Sequence, residues 1–524
     1  MTALAEHPEA VRWGTPRARG LLATTIIGSS MAMIDGTIVN VALPRIGEQF
    51  HASVAGLQWI VDGYLLSLAA LVLVAGAFGD RYGRRRVYLI GIALFGAASL
   101  LCGLTPDTTL LVVARIIQGV GGALLTPGAL AILQSGFVKD DRARAIGAWS
   151  GLGGVATAIG PLLGGALIQV WSWRLAFLIN PPIAVLCIVM ALKFVPESRD
   201  EEASGRPDLL SSAMVALGLA GITALLVEAP GQGITNPLVL AAGIVGVLGL
   251  GAFVVLQLRA RHPLVPPSLF ANRTFTLANL LTFAVYTALG GVLTFMVLQL
   301  QVSLNYPPTL AGLASLPITI LMLLLSARSG KLASRIGPRL QLIVGPLLIA
   351  AGMLLLRDVT PGASYVFGVL PGVLVFGLGL SAVVAPVTAT VLAAAPDHLA
   401  GVASGVNNAV ARTGGLLAVA VLPAVTGLSG AAYRQPALLT ASWRMALLIC
   451  AGLAVVGGLL GFGVHNATMT GTGTGSDSDA GSGTEADAAE PVEDTPGPHP
   501  GECLSCGVGA PPTHIRPNRQ PASG

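Results

Sequence analysis

Charge is what this chain has least of. Of its 524 residues only 10% are charged while 53% are hydrophobic, too few charges to cover a water-soluble domain of that size. Lysine is nearly absent, since 26 of the 29 basic residues are arginine. Histidine and cysteine are scarce, at seven and five, and no histidine falls inside an apolar run. A membrane enzyme built on a clustered His/Asp/Glu or Cys/His centre therefore has nothing to work with. No G-x-x-x-x-G-K-[ST] loop occurs, which excludes an ATP site of that kind. Cys102, Cys187 and Cys450 lie in apolar runs and are expected to pack as small side chains. Cys503 and Cys506 form a lone CxxC flanked by His499 and His514, but a Pro/Gly-rich context offers zinc no scaffold. Neither metal nor cofactor is expected.

What is present is apolar length. A bilayer core about 30 Å thick needs roughly 20 apolar residues per helix. Fourteen such runs occur, near 20–43, 57–78, 86–105, 109–134, 145–170, 175–195, 209–228, 237–258, 274–300, 309–327, 340–357, 363–394, 401–428 and 441–464. The first is too long for a cleaved signal peptide and carries an aspartate. With the amino terminus inside, twenty basic residues fall in inner segments and five in outer ones. That bias predicts a multi-pass cell-membrane protein with both termini cytoplasmic. The net charge of +4 thus reports orientation in a lipid bilayer, and no nucleic-acid partner is expected.

The chain repeats itself. The link after the second run reads GAFGDRYGRRR (76–86), and the one after the tenth reads SGKLASRIGPR (329–339). Aligning them gives two equivalent six-helix bundles with two helices inserted between, a known transporter plan. The predicted fold is an all-α polytopic membrane protein. Its parts are an amino-terminal segment 1–19, a first bundle 20–198, inserted spans 199–262, a second bundle 263–464 and a tail 465–524. The tail has seven acids and no base between residues 476 and 495, a composition that predicts disorder.

Ionisable groups inside hydrocarbon are costly and mark function. Of 25 acids only Asp35 and Asp62 fall well inside a run. With Arg115 in the fourth run they share one level, on the order of 8–12 Å below the outer surface at ~1.5 Å per residue. Two carboxylates and a guanidinium at one depth predict a titratable cluster, with Asp62 nearer to outer water. Arg412 in the thirteenth run either satisfies backbone carbonyls or a helix end, or binds substrate. Glu228, beside Pro230, reads as a solvated rim charge. Arg115, Gln118, Gly119 and Gly122 share a helix face. In the fifth run Ala156, Gly160 and Gly164 form a small-residue face for close packing, and Pro161 permits a bend.

These residues resemble the major facilitator superfamily, specifically its fourteen-span drug:proton antiporters. MIDGTIVNVALP, with Asp35, Thr37 and Asn40, is similar to the family's first-span signature. GAFGDRYGRRR, with Gly76, Asp80, Arg81, Gly83, Arg84 and Arg85, resembles the inner-loop motif that forms a cytoplasmic gate, with Phe78 where leucine is usual. ARIIQGVGGA resembles the fourth-span motif whose arginine, here Arg115, is implicated in proton coupling. IGPLLGG, with Gly160, Pro161, Gly164 and Gly165, resembles the span-5 antiporter motif. WSWRLAFLINPPIA and GVASGVNNAVARTGG (401–415) also fit. The resemblance implies a monomeric exporter of a lipophilic small molecule, driven by protons. Asp35, Asp62, Arg115, Asn40 and Gln118 would line the coupling site, and Asp80 would meet residues 401–404 when the inner side closes. Acids that some relatives carry in spans 10 and 13 are missing here, which weighs against dicationic substrates. A proton-coupled nutrient importer is the competing reading, disfavoured by the span-5 motif.

Overall fold

In the computed structural model, which describes residues 10–199, 208–260, 263–396, 399–427 and 435–466, helices take up most of the chain. The first half holds α1 (Pro16–Phe50), α2 (Val54–Tyr82), α3 (Arg84–Leu104), α4 (Thr108–Gly136), α5 (Lys139–Val170) and the short α6 (Leu175–Leu178) leading into α7 (Asn180–Phe194). Two helices follow, α8 (Leu209–Gln232) and α9 (Pro237–Arg259), then a short α10 (Ser268–Ala271). The second half holds α11 (Arg273–Ser303), α12 (Pro308–Leu313) with α13 (Leu316–Ile336), α14 (Arg339–Leu356), α15 (Leu370–Ala393) after a π-helical turn, α16 (Ala400–Val425) and α17 (Pro436–Gly461). Side-chain caps start many of these helices. Thr15, Ser53, Asp107, Asp208, Asn236 and Asn272 each accept a hydrogen bond from an otherwise orphaned first-turn amide.

Among the described residues thirteen segments are long and apolar enough to cross a membrane. The fifth of the fourteen runs, expected at 145–170, is not met by the same measure. Its helix α5 is 32 residues long, but the described apolar stretch is the shorter Ile159–Val170. The expected tail, with Cys503 and Cys506, lies outside the described residues except at its first two positions. His465 and Asn466 are exposed but tied to the helices: His465 N–H donates to Thr274 Oγ1, and Asn466 Nδ2 donates to the Ile336 carbonyl.

The two halves repeat in packing. In the first, α1 packs on α5, α2 on α4, α3 on α4 and on α7; in the second, α11 packs on α16, α13 on α15, α14 on α15 and on α17. The two Gly/Arg links correspond as well. Gly83 is the one residue between α2 and α3, at φ 106°, and Gly337 opens the α13–α14 link at φ 85°. Only glycine takes that backbone without strain. A Cβ there would also collide with the chain leaving each half, 2.7 Å from Glu197 Oε1 at Gly83 and 2.0 Å from Asn466 Oδ1 at Gly337. The same two side chains cap the helix that follows: Arg85 N–H donates to Glu197 Oε1 (3.1 Å) and Arg339 N–H to Asn466 Oδ1 (3.3 Å). These links define a basic face of the molecule.

The halves meet on the opposite face. Gln58 Nε2 of α2 donates to the Val419 carbonyl of α16 at 2.9 Å, Gln301 Nε2 of α11 to the Val41 carbonyl of α1 at 3.3 Å, and Thr309 Oγ1 to Gln169 Oε1 of α5. One continuous apolar core runs through this junction, from Ile38, Ile46 and Ile60 to Val292, Phe295 and Val419. On the basic face, among the described residues, hydrogen bonds stay within a half. The inserted α8 lies along the junction of α2 and α16, with Leu219 against Ala69 and Leu416.

Candidate functional site

Helix α4 crosses α2 closely because Gly119 has no side chain: a Cβ would lie 2.5 Å from the Tyr64 carbonyl and 2.8 Å from Ser67 Cβ. That approach aims Arg115, one turn earlier, across the bundle at α1. Its Nη1 donates to Asp35 Oδ2 at 2.5 Å and to Gln118 Oε1 at 2.7 Å, and its Nε donates to the Ile60 carbonyl at 3.0 Å. The guanidinium carbon lies 4.2 Å from the centroid of the Tyr64 ring, within cation–π range. Asp35 is 0% exposed and Arg115 1%. The second carboxylate oxygen of Asp35 accepts from Gln118 Nε2 (2.8 Å) and Asn180 Nδ2 (3.2 Å), and both amides also donate to Ser99 Oγ (3.1 and 2.8 Å). Ser99 in turn donates to the Phe177 carbonyl. Five residues from four helices, α1, α3, α4 and α7, thus enclose one compensated ion pair. Charges buried this deeply persist only when paired and hydrogen-bonded. An apolar recess lined by Ile26, Met31, Ile34, Leu163 and Ile183 reaches Asn180 from the α5 side.

Asp62 departs from expectation. It is 0% exposed rather than near water, it stands outside the cluster, and neither carboxyl oxygen has a hydrogen-bond partner. Tyr64 and Gly63 face α4, whereas Gln58 and Ala69, on the side that Asp62 shares, face α16 and α8. Asn40 is also left out, with its Oδ1 unpartnered. Glu228 is no free rim charge: it is half-buried and accepts from Trp59 Nε1 at 2.8 Å, tying α8 to α2. Arg412 is half-buried and, among the described residues, has no hydrogen-bond partner, so the backbone-carbonyl role does not hold. It lies within electrostatic reach of Tyr64 on α2 and Tyr286 on α11.

The span-5 glycines serve two contacts. A Cβ on Gly160 would come 2.0 Å from Thr37 Oγ1, and one on Gly164 2.3 Å from Ile38 Cγ1, so both set the α1–α5 distance. Gly165 faces the other half, where a Cβ would come 2.5 Å from Thr309 Cα, and Gly312 answers it against the Pro161 carbonyl at 2.3 Å. At the basic link Asp80 is 40% exposed and bonded to Arg84 at 2.8 Å, while Arg85 and Arg86 approach Glu197 at 3.8 and 3.7 Å. Arg81 lies over the Tyr82 ring, and a Cβ on Gly76 would lie 3.9 Å from Pro127 Cβ. Sequence reasoning missed Asn180, Ser99, Tyr64 and Gln58. Asn180 sits in the noted LINPP stretch, a signal available but unused.

A twofold-repeated helical bundle with a buried ion pair in one half and a closed seam on one face defines a polytopic membrane transporter. Residues 25–420 match the Major Facilitator Superfamily, and the chain belongs to it. It is 34% identical over 418 residues to the multidrug resistance protein Stp of Mycobacterium tuberculosis, covering 80% of this chain and 77% of that one. It is 35% identical over 439 residues to the puromycin resistance protein pur8 of Streptomyces alboniger (82% and 85% covered). It is likewise 35% identical over 405 residues to the tetracenomycin C resistance and export protein of Streptomyces glaucescens (76% and 74%). Among solved structures it shares its fold with a peptide transporter of the POT family in complex with sulfate, at TM-score 0.63 and 14% identity, covering 87% of this chain and 96% of that one. An inward-facing bacterial homologue of the lysosomal transporter Spinster gives 0.59 and 17%, covering 86% and 97%.

Proposed function

We propose that this protein exports lipophilic drugs or antibiotics from the cell in exchange for protons, as a fourteen-span antiporter with both termini cytoplasmic. The observation that carries the reading is the fully buried Asp35, charge-balanced by Arg115 and held by Gln118 and Asn180, in a chain whose relatives are named for resistance and export. A proton arriving at Asp35 removes its attraction for Arg115 and frees the guanidinium. Asp62, buried without a partner, is a second place where a charge cannot rest unbalanced. With the basic face cytoplasmic, the closed seam faces outward, and the substrate enters from inside. Each inward proton supplies about 1.4 kcal/mol per pH unit and about 2.3 kcal/mol per 100 mV, without a nucleotide or other cofactor.

Everted membrane vesicles acidified inside, with a fluorescent pH probe, test this. Adding a transported compound should release lumenal protons with the native protein and not with Asp35→Asn. Substrate movement that leaves the proton gradient untouched would refute the coupling, and equal proton release by Asp35→Asn would refute the site.

A further inference from the structure

We infer that Arg412 receives the anionic group of the transported compound, so that the preferred substrate is a lipophilic acid, with a sulfonate, carboxylate or phenolate on an aromatic frame. The inference rests on reading the chain as a transporter whose substrate site lies between the halves. Four observations lead to it. Arg412 has no hydrogen-bond partner among the described residues, whereas Arg115, the other cation at membrane depth, is fully used by Asp35, Gln118 and Ile60. Helices α11 to α17 contain no aspartate or glutamate, so no helix of the second half supplies a carboxylate to neutralise it. Its helix α16 packs against α2 of one half and α11 of the other, which puts it on an element bordering both halves. A Cβ on Gly415, three residues on, would meet nothing within 4 Å, so there is open space on that side of the helix.

Among the described residues no carboxylate pairs with it. Asp35 is paired with Arg115, and Glu228 accepts hydrogen bonds from Trp59 and Gln232. The guanidinium fork offers several donors to a planar or tetrahedral oxyanion. A lipid headgroup is the other source of such an anion, but Arg412 is at the middle of the 26-residue α16. It is about 18 Å from either end at ~1.5 Å per residue, beyond the reach of its own side chain.

The test uses two probes on one ring frame: 1-anilinonaphthalene-8-sulfonate, an anion, and N-phenyl-1-naphthylamine, its neutral analogue. Their binding to the purified protein is measured in phosphatidylcholine nanodiscs against empty discs. The native protein should bind the sulfonate at least about 10-fold more tightly, about 1.4 kcal/mol. Arg412→Gln should erase the preference, and Arg412→Lys should keep part of it. No preference in the native protein, or one that survives Arg412→Gln, overturns the inference. So does loss of sulfonate binding when phosphatidylglycerol is added, which would assign the arginine to lipid. The native comparison needs no variant to fold, and it does not use a proton gradient. Failure of proton exchange in vesicles is therefore separable from failure here.

Discussion

The costs of breaking the Asp35–Arg115 pair from its two sides should not add. Both side chains are fully buried, and stranding one member of a buried pair costs about 3–5 kcal/mol. Asp35→Asn belongs at the lower end, about 3 kcal/mol by that range, because Arg115 keeps the Ile60 carbonyl, Gln118 Oε1 and the Tyr64 face. Gln118 and Asn180 also keep Ser99. Arg115→Gln leaves the carboxylate with two amide donors and no countercharge, so its cost should be similar or larger. The double variant has no charge to strand, and its cost should fall short of the sum by about 2–3 kcal/mol, within the coupling expected for residues in contact. Unfolding of the four proteins in detergent micelles, titrated with sodium dodecyl sulfate, measures the cycle. Additivity to within about 0.5 kcal/mol would show that the pair contributes no interaction and would remove the central premise of the site.

Three further outcomes are expected. Asp62→Asn should change stability by less than about 1 kcal/mol, since the carboxyl has no hydrogen bond to lose, yet it should reduce substrate-induced proton release; unchanged release would take Asp62 out of the proton path. Gly165→Val meets the Thr309 backbone, which cannot swing aside as a side chain does, so it should open the seam. A cysteine at Gln58 should then label faster with a membrane-impermeant maleimide, and an unaltered rate would show that this contact does not hold the seam. Asp80→Asn removes only an exposed i,i+4 pair, worth about 0.3–0.5 kcal/mol, so the melting temperature should not move. If Asp80 acts in the state closed on the basic face, cysteines in the cavity on that face should label faster in the variant, and equal labelling would leave it a rim charge.

The parts of the fold legible in the sequence were those fixed along the chain. Apolar runs gave the helices, and the Gly/Arg pattern at 83 and 337 gave the repeat, because a one- or two-residue link between long helices demands a backbone that glycine alone supplies. Where the pattern stopped short was in what meets each link. Glu197 and Asn466, which cap the following helix in each half, are distant in sequence and share no residue type. Tail composition likewise hid the fact that His465 and Asn466 belong to the fold.

The site shows the same division between depth and direction. Counting residues put Asp35, Asp62 and Arg115 at one level, but a helix turns about 100° per residue at 3.6 residues per turn, so level says nothing of which neighbour a side chain meets. The direction of α2 is set by Gly119 and Gly122 of α4, which press against Tyr64 and Ser67. Asp62, two positions from Tyr64, is then rotated about 200° away from it. It goes to the side that Gln58 and Ala69 present to α16 and α8, while the Arg115 pair closes on the other. The two acids therefore belong to different boundaries, Asp35 to the interior of the first bundle and Asp62 to the contact between the halves. Any rocking of one half on the other must change the surroundings of Asp62 directly, and can change those of Asp35 only through the helices that hold it. That difference is what makes the Asp62→Asn and Asp35→Asn proteins informative as a pair: loss of coupling in both, with stability lost only in the second, is the pattern this geometry requires.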